Sequence, residues 1–149
     1  MRLAHRVSTS ASPAQVWDLL GRPRRWPEFN PFLRRVHGAP ETARTGQTLL
    51  GVARFTGVRV PIDVVEAVPE QRLEIFLHTA PGVRHRLVFE LTPKVRGGCS
   101  VRVGVTVEGL FARAAVAPLW LADGFVARLL GAQADRDARA ARKRGRGAA

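Results

Sequence analysis

Residues 101–134 read VRVGVTVEGLFARAAVAPLWLADGFVARLLGAQA, and their apolar period changes at Glu108. Before Glu108 every second residue is a valine, an alternation that predicts a strand with one buried face. After Glu108 the apolar residues recur at helical spacing. The main stripe is Leu119, Ala122, Val126 and Leu129, continued by the polar Gln133 and broadened by Leu121 and Phe125. This stretch therefore predicts a strand that leads directly into a long C-terminal helix.

A second stripe of the same helix consists of small residues. Its members are Gly124, Ala127, Gly131 and Ala134. A glycine inside a helix costs about 1 kcal/mol relative to alanine, so two of them need a physical reason. Two explanations stay open at this point: the helix packs tightly on a sheet there, or it leaves room for another molecule.

The chain before this stretch alternates apolar and charged residues in one segment after another. The predicted strands cover residues 2–8, 32–37, 48–55, 58–64, 72–77, 84–91 and 101–107. One apolar and one charged face per strand indicates an antiparallel sheet that is covered on a single side. The alternation does not determine which face of the sheet the side chains of Arg54 and Glu66 are on. A bulge near Val64 and Val65 would move both to the opposite face.

Two short helical segments interrupt the strands early in the chain. Ser12-Pro13-Ala14-Gln15 has the form of a helix start, with Ser12 as cap and Gln15 as its capping-box partner. Gly21 and Pro23 end this helix. Residues 26–32, WPEFNPF, then predict a turn or a second short helix.

Positive charge is concentrated at the C-terminus. The chain has 24 Lys and Arg residues against 12 Asp and Glu residues, a formal net charge of +12. Residues 136–149 hold six of the basic residues and a single acidic one, Asp137. We therefore divide the chain into a domain over 1–135 and a basic tail over 136–149, which is either a helix extension or disordered. Charge alone does not choose between an anionic metabolite, a carrier protein, a membrane and a nucleic acid.

Several classes of protein are disfavoured by what the sequence lacks. A single cysteine, Cys99, allows no internal disulfide, and the four histidines include no i,i+4 pair, so we expect no metal site and no cofactor. Phosphate-binding glycine loops, hydrolase elbows and zinc-protease motifs are missing too. Because the first residues lack an apolar run, and charges interrupt residues 112–134, we expect a cytoplasmic protein without a transmembrane segment.

The order of elements resembles a known superfamily, the SRPBCC proteins, which include START-like lipid-transfer proteins and polyketide cyclases/dehydrases. The resemblance is carried by SPAQVW (12–17), WPEFNP (26–31), PEQRL (69–73), HRLVFEL (85–91) and EGLFAR (108–113). It implies an α+β helix-grip fold over residues 2–135, in which six or seven antiparallel strands wrap around the C-terminal helix. It also implies an apolar cavity between sheet and helix that binds a small hydrophobic ligand.

Candidate site residues follow from placing the sequence on that fold. His5 and His85 share the parity of apolar neighbours, and their strands would lie two apart, about 10 Å between backbones. Each histidine either forms a hydrogen bond with a ligand, or lies at a strand end with its hydrogen bonds made to the backbone or water. The predicted ligand-binding set is His5, His85, Leu87, Phe89, Val103, Val105, Trp120, Gly124 and Phe125.

Three functions remain in competition on the sequence alone. The leading hypothesis is binding or transport of a small hydrophobic ligand such as a lipid or polyketide. The alternative is a polyketide cyclase/dehydrase with His85 as acid/base and an acyl-carrier protein held by Arg22, Arg24 and Arg25, which otherwise form a solvated loop. The absence of tyrosine weakens this alternative, since the resemblance implies Tyr in cyclase pockets. Third, the basic tail touches an anionic surface, without specific recognition of nucleic acid.

Overall fold

A computed structural model describes residues 2–38 and 41–148. Its elements, in chain order, are β1 (Arg2–Thr9), α1 (Pro13–Leu20), a 3-10 helix (Pro23–Glu28), β2 (Leu33–His37), β3 (Thr48–Ala53), β4 (Arg59–Val68), β5 (Arg72–Ala80), β6 (Val83–Pro93), β7 (Cys99–Glu108) and α2 (Ala112–Gly147). All seven predicted strands are present. The predicted α+β helix-grip fold is therefore confirmed, with seven strands.

The sheet is a single antiparallel layer with the order β1-β7-β6-β5-β4-β3-β2. Strands β2 to β7 form a meander, and β1 joins its far end by pairing with β7, with His5 opposite Val103. The His5 and His85 strands are thus two apart, as predicted. Helix α2 crosses one face of the sheet and contacts β1 and β7 most extensively.

The predicted capping box starts α1. The Ser12 side chain accepts a hydrogen bond from the Gln15 backbone N–H at 3.2 Å, and the Gln15 side chain accepts from the Ser12 N–H at 2.9 Å. Two amides that a helix start leaves unpaired are satisfied in this way. The second short segment is the 3-10 helix, which begins at Pro23 instead of Trp26.

The small residues of α2 allow it to lie directly against β1. A methyl group at Gly131 would lie 2.5 Å from Val7 Cγ1, and one at Gly124 would lie 2.5 Å from His5 Cε1. Ala127 and Ala134 on the same stripe are fully buried. Tight packing, and not space for another molecule, therefore explains the glycines.

Helix α2 begins earlier than its proline suggests. Because proline favours the first turn of a helix, the sequence places the helix start near Pro118, or adds a preceding turn over residues 111–117 with a kink between. The helix starts at Ala112, and Pro118 lies inside it. A proline has no N–H for the carbonyl four residues earlier. That carbonyl belongs to Ala114, which is exposed, so water can pair with it.

The basic tail continues α2 to Gly147, the first of the two forms predicted for it. Asp135, just before it, accepts hydrogen bonds from the Thr9 hydroxyl, the Ser10 N–H and the Ser10 hydroxyl at 2.7, 2.7 and 2.9 Å. Partial burial raises the pKa of Asp135, but these hydrogen bonds lower it by more, so the net pKa lies below the usual range. Ala138, in the tail itself, is fully buried.

Arg25 connects the tail to the N-terminal helices, so the interpretation of residues 22–25 as a solvated loop is wrong for this residue. Its guanidinium lies 2.8 Å from Asp18, 2.7 Å from Glu28 and 2.9 Å from Asp137. The hydrogen bond to Glu28 is the largest cause of a raised Arg25 pKa. Arg22 and Arg24 pair with Asp18 and Glu41. All three arginines therefore already have acidic partners within the chain.

Helix α2 is long and apolar enough to cross a membrane, judged by length and composition, and is the one such helix in the described residues. One helix of this kind is weak evidence for a membrane span, so the absence of a transmembrane segment stays a prediction. The core helix of a soluble protein satisfies the same measure, and α2 packs one face on the sheet. Cytoplasmic location stays a prediction.

We expect Gly131→Ala to lower the free energy of unfolding by about 1 kcal/mol. Overpacking against Val7 costs about 1–3 kcal/mol, and the gain in helix propensity recovers about 1 kcal/mol. The matched control is Gly145→Ala in the same helix, where a methyl group meets nothing within 4 Å. Urea denaturation should show no loss for the control. A stabilised Gly131→Ala protein would contradict the tight contact.

Candidate functional site

A cavity of about 300 Å³ lies between the inner face of strands β4–β6, the 3-10 helix with the loop after it, and the first half of α2. The lining residues are Leu20, Trp26, Phe29, Asn30, Phe32, Leu33, Ile62, Leu73, Ile75, Leu77, Thr79, His85, Leu87, Phe89, Leu119, Ala122, Asp123 and Val126. The volume is at the lower end of the range for small-molecule pockets.

The apolar wall follows from the period of two in β5 and β6. Leu73, Ile75 and Leu77 alternate with residues on the outer face of the sheet, and so do Leu87 and Phe89. On the outer face, Arg72 pairs with three glutamates, Glu66, Glu74 and Glu90. The sheet therefore separates an ionic surface outside from an apolar wall inside.

Arg54 and Glu66, whose side-chain orientation the sequence did not determine, both lie outside the cavity. The chain bulges between Val64 and Glu66, and Glu66 joins the outer ionic network. Arg54 is exposed and donates a hydrogen bond to the Leu33 carbonyl at 3.3 Å. Neither charge lines the cavity, so the wall there is not basic.

One end of the cavity is closed by aromatic side chains of the 3-10 helix and its loop. Trp26 is buried, and its indole N–H donates to the Leu20 carbonyl at 2.9 Å. Phe29 is buried beside it. Both residues attach this segment to the core and also form part of the lining.

A buried histidine and a buried aspartate meet in the cavity wall. His85 Nε2 lies 2.7 Å from Asp123 Oδ2, and the two residues are 3 % and 8 % exposed. His85 Nδ1 is buried and has no hydrogen-bond partner among the residues that the structure describes. An ionised carboxylate only accepts hydrogen bonds, so Nε2 carries the proton in that state and Nδ1 of the neutral ring is an acceptor.

Asp123 is the site residue that was missed from the sequence. It lies four residues after Leu119 and three before Val126, so it belongs to the same helical face as the apolar stripe. A charged residue within an apolar stripe is the signal that could have identified it. The second predicted histidine, His85, supplies its partner from β6.

His5 lies outside the cavity. It stacks on Trp120, with ring centroids 4.8 Å apart, and its Nε2 lies 2.9 Å from the Trp120 carbonyl oxygen. Gly124 lies against the same imidazole. The two predicted histidines therefore do not face one common space.

Of the remaining residues predicted to bind ligand, some line the cavity and others lie outside it. Leu87 and Phe89 line the cavity with His85. Val103 and Val105 are fully buried on β7, which α2 covers directly, and Phe125 is half exposed on the outer side of α2. Because the helix presses on β1 and β7, the cavity described above lies under β4–β6. Ligand contact stays a prediction for all of these residues.

Comparison with known proteins identifies the family. Residues 2–145 match the model of the family described as polyketide cyclase / dehydrase and lipid transport. The chain belongs to this family, which confirms the resemblance inferred from the sequence. No match was found among curated proteins.

Solved structures share the fold at low sequence identity. Protein MLL2253 from Mesorhizobium loti has a TM-score of 0.75 and 18 % identity, with 91 % of this chain and 98 % of that chain covered. A START superfamily protein from Mycobacterium smegmatis has a TM-score of 0.66 and 15 % identity over 91 % and 97 %. DynU16, from the dynemicin biosynthetic locus, has a TM-score of 0.63 and 21 % identity over 87 % of this chain and 46 % of its own.

We expect Asp123→Ala to lower the free energy of unfolding by about 1–3 kcal/mol, because His85 loses its buried hydrogen-bond partner. Asp63→Ala is a matched control: Asp63 also lies 2.9 Å from a histidine, His78, but both side chains are about half exposed. An exposed pair contributes about 0–1 kcal/mol. Equal effects of the two substitutions, measured by urea denaturation, would contradict a structural role for the buried pair.

Proposed function

We propose that this family member binds a small hydrophobic molecule in the cavity between the sheet and α2. The observation that carries the proposal is an apolar cavity whose wall includes a buried polar atom without a hydrogen-bond partner among the described residues, His85 Nδ1. Burial of apolar ligand surface there contributes about 25 cal/mol per Å² before the costs of association. The small volume favours a compact ligand over a lipid with two long chains.

The polar groups of the wall narrow the ligand class further. A buried acceptor without a partner is costly, so the preferred ligand supplies a hydrogen-bond donor to Nδ1. A hydroxyl group on an apolar skeleton meets this requirement. Within the described part of the chain no Lys or Arg lines the cavity, and Asp123 is acidic, so the ligand is neutral and not an acid.

A second candidate function is the cyclase/dehydrase reaction, favoured by the His85–Asp123 pair. Nδ1 would take a proton from the carbon beside a ketone, the resulting enolate would attack a second carbonyl carbon, and the imidazolium would return the proton to the new alkoxide. Asp123 would hold the ring in position and stabilise its charged form. An acyl-carrier protein as donor of the chain stays a prediction; Arg22, Arg24 and Arg25 are already paired within the chain.

We expect Ala122→Phe to abolish ligand binding, since the added ring fills part of a 300 Å³ cavity. Ala132→Phe, an exposed position of the same helix, is the matched control. The measurement is native mass spectrometry of protein purified from a bacterial host, followed by solvent extraction. The parent and the control should carry a hydrophobic molecule in stoichiometric amount and Ala122→Phe should not. A parent that binds no hydroxylated apolar compound, added or co-purified, would refute the proposal.

His85→Ala and Asp123→Asn separate the two candidate functions. A binding protein should lose affinity about tenfold with His85→Ala, a loss of one hydrogen bond to the ligand. An enzyme should lose turnover of a poly-β-ketone by about a hundredfold or more and retain substrate binding. Asp123→Asn keeps an acceptor for Nε2 but no charge, so it should reduce turnover and leave binding nearly unchanged. No turnover by the parent protein would exclude the cyclase.

A further inference from the structure

The outer side of α2 carries an exposed apolar stripe. Its members recur at helical spacing: Phe111, Ala114, Ala117, Pro118, Leu121 and Phe125. The three large side chains Phe111, Leu121 and Phe125 are 58, 64 and 50 % exposed. A contiguous apolar patch of this kind on a protein surface marks a site of interaction. We call this stripe, together with Phe55, Val58 and Leu110 of the neighbouring turns, the mouth patch.

Two turns extend the mouth patch at the start of α2. Leu110, in the β7–α2 turn, is 86 % exposed, and Phe55 and Val58, in the β3–β4 turn, are 80 and 54 % exposed. Val58 and Leu110 line one surface groove together with Gly82 of the β5–β6 turn. The Phe111 ring lies against Gly82, where a methyl group would be 3.1 Å from it. The three turns therefore form one surface.

This surface adjoins the cavity. Thr79 lines both the groove and the cavity. Phe32 lines the cavity and is 45 % exposed, and its carbonyl accepts the Arg54 N–H, which places it beside the β3–β4 turn. The exposed apolar side chains thus surround the side from which the cavity is reached.

Arginines border the mouth patch. Arg54, Arg59, Arg84 and Arg113 are exposed, and none of them forms a salt bridge with another described residue. The nearby acidic residues are Glu108, which is exposed, and Asp63, which pairs with His78. The border of the patch is therefore positive.

We propose that the mouth patch binds the surface of an anionic lipid bilayer, with the apolar side chains inserted at the headgroup boundary and the arginines on the lipid phosphates. An amphipathic helix with an apolar face and basic flanks binds membranes in this orientation. A second copy of the chain is a poorer occupant, because its arginines would face the same arginines. Only the link to ligand entry depends on the proposed function; bilayer binding does not.

The test is co-sedimentation with phosphatidylcholine vesicles that contain or lack phosphatidylglycerol. The parent protein should bind the anionic vesicles and bind the neutral ones about tenfold or more weakly, because anionic lipids attract arginines near the membrane surface. The double variant Leu110→Ser/Phe125→Ser should bind the anionic vesicles about tenfold more weakly than the parent. Both positions are exposed, so its melting temperature should match the parent's.

Two control variants distinguish binding through the mouth patch from non-specific attraction of a basic protein to anionic vesicles. Val95→Ser/Arg96→Gln makes the same kinds of change in the exposed β6–β7 turn, at the opposite end of β6, and should bind like the parent. Arg142→Gln/Lys143→Gln/Arg144→Gln removes tail charge and should keep most of the binding. Loss confined to the tail variant, or equal loss in all variants, would overturn the proposal.

Two further outcomes also decide against it. Absence of vesicle binding by the parent would overturn the proposal directly. A parent dimer in light scattering that becomes monomeric in Leu110→Ser/Phe125→Ser would assign the patch to a second copy. Native mass spectrometry of the same variants measures ligand binding in the cavity independently of vesicle binding. Vesicle binding without a bound ligand would refute only the proposed function. A bound ligand without vesicle binding would refute only the proposed bilayer contact.

Discussion

The contact between α2 and β1 is the constraint on which the rest of the structure depends. Gly124 and Gly131 let the helix approach His5 and Val7 more closely than any side chain on the helix would allow. The helix is thereby fixed on the β1–β7 side of the sheet, and Asp135 and Arg25 hold it further along. Because the sheet is wider than the helix, its other half remains uncovered by α2, and the 3-10 helix and its loop close that space instead.

The position of the cavity is therefore set by the packing of α2 on β1 and β7. Its walls are mostly apolar because β5 and β6 alternate, and its buried polar pair consists of one residue from the sheet opposite one from the helix, His85 and Asp123. A buried ion pair or hydrogen bond of this kind adds little stability over an apolar pair of equal size. Its presence in an apolar space is more easily explained by a ligand or a reaction than by the fold.

Patterns among residues close in the chain predicted the fold well. Contacts between residues far apart in the chain could not be predicted from the sequence. The capping box of Ser12 and Gln15 involves neighbours in the chain, so spacing alone identified it. The strand periods likewise depend on adjacent residues. Arg25 was misjudged because its partner Asp137 is 112 residues away. His5 and His85 were placed together by parity, which gives the face of a sheet but not which part of that face a helix covers. Asp123 was visible as a charge in an apolar stripe, but only the fold supplies its partner.

The pairing of the first strand with the last also affects how the chain is made. Strand β1 has one hydrogen-bonded neighbour, β7, about a hundred residues later, and the helix that covers both comes later still. During synthesis, β1 leaves the ribosome long before any of its partners exist, and contacts of such long range slow folding. The arginines at positions 2 and 6, alternating with Leu3 and Val7, are the kind of charge that keeps an unpaired strand from joining another chain. The domain thus completes its fold only after β7 and α2 have been translated, and until then its first strand stays unpaired.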